Sequence, residues 1–225
     1  MVNLAGKRIL ITGGAGSLGR EAGSVARGFG ADVILVDLAI PDDLAKDFET
    51  VECDLRSPQL VADAVASIGR IDALFNIAGG FDMGPAFHEI SPDAWQKMFA
   101  INVETARNIT SAALPQMLER GRGAVVNIGA VGALHGAARM SAYCASKSVV
   151  MNMTESLSEE VKSSGINVNA VLPSVIDPAA NRAAMPDADY SLWVSPAQLS
   201  NVMCFLASEL ASGVHGALIP VKALS

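Results

Sequence analysis

Tyr143 and Lys147 stand four residues apart in the segment SAYCASK (141–147). On a helix, that spacing puts a phenol and an amine one turn apart on the same face. A phenol with a pKa of about 10 is a poor acid–base catalyst at neutral pH. An ammonium roughly 4 Å away, at an effective dielectric near 20, favours the phenolate by about 4 kcal/mol, enough to lower that pKa by up to about 3 units. The pair is therefore expected to act as a proton-transfer couple, although the same spacing also fits an ordinary helix surface. The stretch before it, NIGAVGALHG (127–136), offers few side chains that could assist.

A second chemical signal lies near the start of the chain, in ITGGAGSLGRE (11–21). Gly13, Gly16 and Gly19 sit where a strand would turn sharply into a helix and let its backbone approach a ligand. Ser17 and Leu18 would place their N–H groups at the positive end of that helix, a ready site for a pyrophosphate. About twenty residues on, the next strand ends in Asp37. A carboxylate there can accept both ribose hydroxyls of an adenosine and repels a 2′-phosphate, so the cofactor is expected to be NAD, with NADH preferred over NADPH. Arg20 is the one nearby cation that could tolerate a phosphate.

These residues need a scaffold that turns at strand ends. Near-continuous apolar runs mark strands at 7–12, 32–37, 50–54, 71–78, 123–129, 166–173 and 216–221, the pattern of parallel strands buried on both faces. Helix-period segments lie between them near 17–29, 57–68, 92–119, 141–163 and 196–208. Ser57-Pro58, Ser91-Pro92 and Ser195-Pro196 each pair an N-cap residue with proline at the first helical position. The alternation predicts a single α/β domain over 1–225, a doubly wound Rossmann sheet of about seven parallel strands with helices on both faces. One irregular stretch, 177–195, is too long for a simple connection and is expected to be a substrate loop.

The bulk composition narrows the function. With 51% apolar and 17% charged residues, the chain is core-rich rather than disordered. A net charge of -7 argues against nucleic acid or an anionic membrane as partner. No apolar run reaches the roughly 18 residues of a membrane helix, and the start leaves no room for a signal peptide. Cys53, Cys144 and Cys204 are odd in number and widely spaced, which suits free thiols in a reducing cytoplasm. His88, His135 and His215 show no ligand spacing, so no metal site is expected.

Taken together, these features resemble the short-chain dehydrogenase/reductase family over nearly the whole chain. TGGAGSLG (12–19) is similar to the family's cofactor turn, and Asp54-Leu55 to its adenine-contacting pair. Asn76, Ala78 and Gly79 in NIAG are similar to the segment after its fourth strand, Asn102 to its helix asparagine, and Tyr143 and Lys147 to its Tyr-xxx-Lys pair. The resemblance implies catalysis by Tyr143 as acid–base. Lys147 would hold the nicotinamide ribose, and Asn102 would support a proton-relaying water. It also implies cofactor contacts at Ile128, Pro173 and Val175, and a homodimer or homotetramer built by helices such as 92–119 and 141–163.

The chain departs from the family at one position of consequence. The family places a serine thirteen residues before the tyrosine to polarise the substrate oxygen. Here that position is Ala130, which neither donates nor accepts a hydrogen bond. Two smaller departures put Ser17 for the middle glycine of the turn and Ser174 for a Pro-Gly pair. Three explanations of Ala130 stand: a substrate that needs little polarisation, loss of catalysis with NAD binding kept, or an introduced substitution. The loop resembles dihydropteridine reductase, a branch that also carries alanine there and uses NADH, at Asp177, Asn181, Arg182, Met185, Pro186, Ala188, Asp189, Ser191 and Trp193. Tyr190 takes the place of a phenylalanine. The expected substrate is a small carbonyl- or imine-bearing molecule, with a quinonoid dihydropteridine as the named candidate. The alternatives are a non-catalytic NAD-binding sensor or scaffold, and an alcohol dehydrogenase working without the serine.

Overall fold

The computed structural model describes residues 1–176 and 189–224. Seven parallel strands form one sheet in the order β3-β2-β1-β4-β5-β6-β7. They are β1 (Arg8–Thr12), β2 (Asp32–Asp37), β3 (Glu49–Glu52), β4 (Ala73–Asn76), β5 (Gly123–Ile128), β6 (Ile166–Pro173) and β7 (Leu218–Val221). The helices are α1 (Ser17–Gly28), α2 (Asp42–Asp47), α3 (Pro58–Ile68), α4 (Pro92–Phe99), α5 (Thr105–Arg120), α6 (Ser141–Val161) and α7 (Pro196–Leu206). The chain winds outward from β1 through β2 to β3 and returns on the other side of β1 as β4. The β1/β4 boundary is thus the point where strand order reverses, and in such sheets ligands bind outside the carboxyl ends of the strands there.

Alternation along the strands sorts the core into two layers. Ile9, Ile11, Leu35, Phe75 and Val126 face α1 and α7, meeting Ala22, Leu199 and Met203. Leu10, Ile34, Val36, Leu74 and Val125 face α3 and α5, meeting Val61, Ile109 and Met117. A smaller cluster at the carboxyl edge joins Ala130, Cys144, Met151 and Leu172, with Tyr143 packed against it. Ser57, Ser91 and Ser195 cap α3, α4 and α7 through their hydroxyls, as their pairing with proline predicts.

The sequence pattern over 92–119 predicts one helix, and the structure breaks it into two. A π-turn over Ala100–Glu104 separates α4 from α5. Such turns carry an extra residue and gather at functional sites, and Asn102 is the middle residue of this one. Short α2 has too few residues for a readable helical period and was not expected.

Candidate active site

The glycine turn leaves the end of β1 and opens α1. An added Cβ at Gly13 would stand 2.9 Å from the Ala78 nitrogen, and one at Gly19 would stand 2.1 Å from the Gly13 oxygen. Gly13 also takes a φ of 67°, which side chains rarely adopt. These two glycines bring the turn against the segment that follows β4. Gly16 is less demanding, since its added Cβ would meet only the Gly13 oxygen at 3.3 Å. Gly14 is a position sequence reasoning missed: a side chain there would meet Leu35 Cβ at 2.6 Å.

Gly16 gives α1 no side-chain cap, and the first turn holds no acidic residue. The first backbone bond of the helix is Arg20 N–H to the Gly16 oxygen. The N–H groups of Ser17, Leu18 and Gly19 therefore have no acceptor among the described residues. Three free donors at the positive end of a helix dipole, in a cradle that side chains would fill, fit a pyrophosphate.

Asp37 ends β2 beside this turn. Its carboxylate accepts from Ala15 N–H at 2.9 Å and from Leu38 N–H at 2.7 Å. It both fixes the turn and presents its remaining lone pairs at the strand end. Arg20 donates Nε–H to the Ala15 oxygen and pairs with Asp43 at 2.6 Å, so its charge is already matched. Asp54 is held by Arg56 through two side-chain bonds of 2.8 and 2.7 Å, which keep its carboxyl down at about 2. Leu55 is positioned through its carbonyl, which accepts from Asn108 Nδ2 at 2.9 Å.

Thr12, also missed from sequence, fastens β1 to the segment after β4. Its hydroxyl oxygen accepts from Ile77 and Ala78 N–H at 3.0 and 3.1 Å. Asn76 is buried with its amide committed to Thr110 at 2.9 Å and to Asn127 at 2.8 Å. Its Nδ2 is thus a rung of a polar ladder across β4 and β5, which continues from Asn127 to Thr154 at 2.8 Å, while its buried Oδ1 has no partner among the described residues.

Asn102 is buried and bonded to Gly80 in both directions, accepting from its N–H at 3.0 Å and donating to its oxygen at 3.1 Å. It also donates to Ser146 Oγ at 3.1 Å, and that hydroxyl donates to the Tyr143 carbonyl at 2.8 Å. Asn102 therefore links the segment after β4 to the first turn of α6. Gly79 must lack a side chain, because an added Cβ would lie 2.5 Å from Asn102 Oδ1 and 3.4 Å from Lys147 Nζ.

Tyr143 and Lys147 lie one turn apart on α6, as their spacing predicts. Lys147 is buried, and its Nζ donates to the Ile128 oxygen at 2.9 Å. Burial pulls its ammonium down to about 8. The expectation that Lys147 depresses the phenol is corrected here. Burial first, and then the Cys144 thiol, push Tyr143 up to about 12. The lysine amine is directed at a backbone carbonyl, and desolvation of the phenolate is the leading cause of the rise. No described residue hydrogen-bonds the Tyr143 hydroxyl.

Ala130 lies in the same apolar cluster as Tyr143. Pro173 ends β6, and Val175 follows it with its carbonyl taken by Val194 N–H at 2.9 Å. Residues 177–188, which carry most of the loop's resemblance to dihydropteridine reductase, lie outside the described residues. Of that loop, Asp189 accepts from Ser191 N–H at 3.0 Å, and the Tyr190 and Trp193 rings meet edge-on at 4.9 Å. Among the described residues, no three His, Cys, Asp or Glu side chains gather where they could hold a metal, and no helix is long and apolar enough to cross a membrane.

Comparison with known proteins supports the fold described above. The short chain dehydrogenase family model matches residues 7–189. The chain is 30% identical over 250 residues to the short chain dehydrogenase ausX of Aspergillus calidoustus, covering 98% of this chain and 97% of that one. It is 30% identical over 242 residues to 2-(S)-hydroxypropyl-CoM dehydrogenase 3 of Xanthobacter autotrophicus, covering 95% and 94%. Among solved structures it is similar to carveol dehydrogenase from Mycobacterium avium in complex with NAD, with a TM-score of 0.89, 27% identity and coverage of 99% and 98%. A gluconate 5-dehydrogenase from Burkholderia cenocepacia, in complex with NADP and tartrate, shares the fold with a TM-score of 0.91 at 24% identity over 99% and 96%.

Proposed function

The chain belongs to the short-chain dehydrogenase family, and we propose that within it the protein is an NADH-dependent reductase of a small carbonyl- or imine-bearing molecule. The observation that carries this reading is that Asn102 and Lys147 both meet Gly79, next to the Ala78 against which Gly13 of the cofactor turn packs, while Ser146 ties Asn102 to the Tyr143 carbonyl. When bound, the nicotinamide supplies the hydride. Gly13, Gly16, Ser17, Leu18 and Gly19 would hold its pyrophosphate, and Asp37 its adenosine ribose. Asp54, Leu55, Ala78, Gly79, Ile128, Pro173 and Val175 would line the remainder.

The protonation of Tyr143 suits it to the reductive direction. A phenol held near 12 keeps its proton at neutral pH, so Tyr143 is poised to donate. As the new C–H bond forms, the C=O π pair moves to oxygen, and the Tyr143 proton passes to that oxygen. Solvent then returns a proton to the phenolate, with Lys147 and Asn102 holding the route. Each turnover consumes one hydride and one solvent proton and yields an alcohol or, from an imine, an amine.

Ala130 supports a substrate that is already electron-poor. For a plain ketone, a missing oxyanion donor costs on the order of 10²–10³ in rate. A quinonoid dihydropteridine accepts hydride readily and meets that condition. NADH is read as preferred over NADPH because Asp37 ends β2 beside the glycine turn while the charge of Arg20 is matched by Asp43. Assembly of two or four copies through α4, α5 and α6 is part of the same reading, and light scattering in solution tests it.

The test of the activity is Tyr143→Phe, with turnover followed by NADH absorbance and NADH affinity by fluorescence. Turnover should fall by about 10²–10⁴ with affinity nearly unchanged, since only the proton-donating hydroxyl is removed. Near-normal turnover would require another acid and overturn the assignment.

A further inference from the structure

The segment between Gly80 and Gly84, directly after β4, carries two large apolar side chains in the open. Phe81 is 54% exposed and Met83 60% exposed. Water-facing apolar groups in a loop usually mean little, but this loop is pinned at both ends. Gly80 exchanges two bonds with Asn102, at 3.0 and 3.1 Å. Gly84 donates to the Arg139 oxygen at 2.8 Å, and its own oxygen accepts from Arg139 Nε at 3.3 Å. Arg139 adopts a φ of 63°, a strained setting for a residue with a side chain, held by the contacts around it. The exposure of Phe81 and Met83 is therefore built into the loop.

Phe81 stands against the reacting group. The Phe81 ring meets the Tyr143 ring edge-on, with centroids 5.0 Å apart at 81°. The segment after β5 brings Ala130 and Val131 into the apolar cluster against which Tyr143 packs, and Leu134 follows them 45% exposed. β4 and β5 are neighbours in the sheet, so both segments leave the same edge. The side chains at 81, 130, 131 and 134 offer neither donor nor acceptor for a substrate hydroxyl or ring nitrogen, and the Met83 thioether only a weak acceptor.

We propose that this wall selects an apolar, ring-bearing compound whose carbonyl is already electron-poor, the class of a vicinal diketone, and that Phe81 is the specificity-determining residue. The inference rests on the reductase reading above and narrows its substrate. Ala130 demands an activated carbonyl, and the wall demands an apolar body. A polyhydroxylated ketone or a pterin would shed water from several polar groups here and find no replacement partner, and the resulting penalty multiplies with each group. An apolar ring instead buries its own surface together with the Phe81 ring and the Met83 chain.

The test compares wild type, Phe81→Ala and Phe81→Leu at saturating NADH on camphorquinone, a polyhydroxylated ketone (5-ketogluconate) and a quinonoid dihydropteridine. In parallel, binding of borneol, an apolar alcohol that NADH cannot reduce, is followed calorimetrically on the NADH complex. Camphorquinone should exceed the other two in kcat/KM by roughly 30-fold or more. Phe81→Ala should raise its KM and the borneol Kd by roughly tenfold, Phe81→Leu should recover part of that loss, and NADH affinity should not move. Equal or better kcat/KM on either polar substrate, or a KM and Kd unchanged in Phe81→Ala, overturns the inference and leaves the reductase reading standing. Borneol binding that weakens in Phe81→Ala, with no substrate turned over, supports the apolar site and removes the reductase reading.

Discussion

Lys147→Met should make the protein more stable and catalytically dead. Burial lowers the ammonium from 10.5 to about 8, a difference of about 3 kcal/mol against the charged form at neutral pH. Methionine fills a similar volume without that penalty. It leaves the Ile128 carbonyl, now bonded at 2.9 Å, without its partner, which costs about 1 kcal/mol. The variant should therefore gain about 2 kcal/mol in urea unfolding at about pH 7. The pH dependence isolates the cause. Between about 8 and 10.5, the unfolded chain holds a proton on Lys147 that the folded chain has released, so wild-type stability rises with pH there. The variant lacks that gain, while all other groups cancel between the two proteins. Its advantage should shrink by about 2 kcal/mol between about pH 7 and about pH 9.5. Measurements should stop near that limit, because Tyr143, raised to about 12, keeps its proton in the folded state above about pH 10 and costs stability there. A stability gap that stays constant with pH, or a variant less stable at neutral pH, would refute the buried-ammonium argument.

Three further outcomes are expected. Asp37→Ser removes the ribose acceptor and the negative charge, so the preference for NADH over NADPH should fall by roughly tenfold or more in Kd ratio; an unchanged ratio would assign the preference elsewhere. Asn102→Ala breaks two bonds to Gly80 and one to Ser146, which should lower unfolding stability by about 2–4 kcal/mol and reduce kcat; a small stability loss with full turnover would make the link dispensable. Ala130→Ser should leave reduction of electron-poor substrates nearly unchanged and raise any weak activity on plain ketones by up to about 10²-fold; a wild type silent on every substrate, with brisk ketone reduction only in the serine variant, would mark Ala130 as a lesion instead.

Much of the site was legible because its chemistry is local in sequence. The Tyr143–Lys147 spacing, the glycine turn followed by a helix, and Asp37 at a strand end each announce a geometry within a few residues. The seven strands were readable for the same reason, since parallel strands buried on both faces are apolar without interruption. What could not be read depends on distant partners. Thr12, Asn108 and Ser146 look like ordinary polar residues in the chain, yet each fastens a functional segment from across the fold. Gly14 is required by Leu35 on the neighbouring strand, a contact no local pattern contains. The π-turn at 100–104 is equally silent, because one inserted residue leaves the helical composition unchanged.

The misjudged phenol shows where reasoning by spacing stops. Four residues on a helix fix which face two side chains share, and leave open where a flexible amine points or how dry the site is. Here the Lys147 amine turns to the Ile128 carbonyl, and the walls around Tyr143 are Ala130, Phe81 and Cys144 rather than donors. An apolar surrounding raises the phenol and lowers the ammonium together, so both groups sit closer to neutrality than an isolated pair would. The absence of a polarising serine and the exposed apolar wall are then two aspects of one design. On the reductase reading proposed above, Tyr143 is a protonated donor in apolar surroundings, which suits a substrate that brings its own electron deficiency and little polar surface.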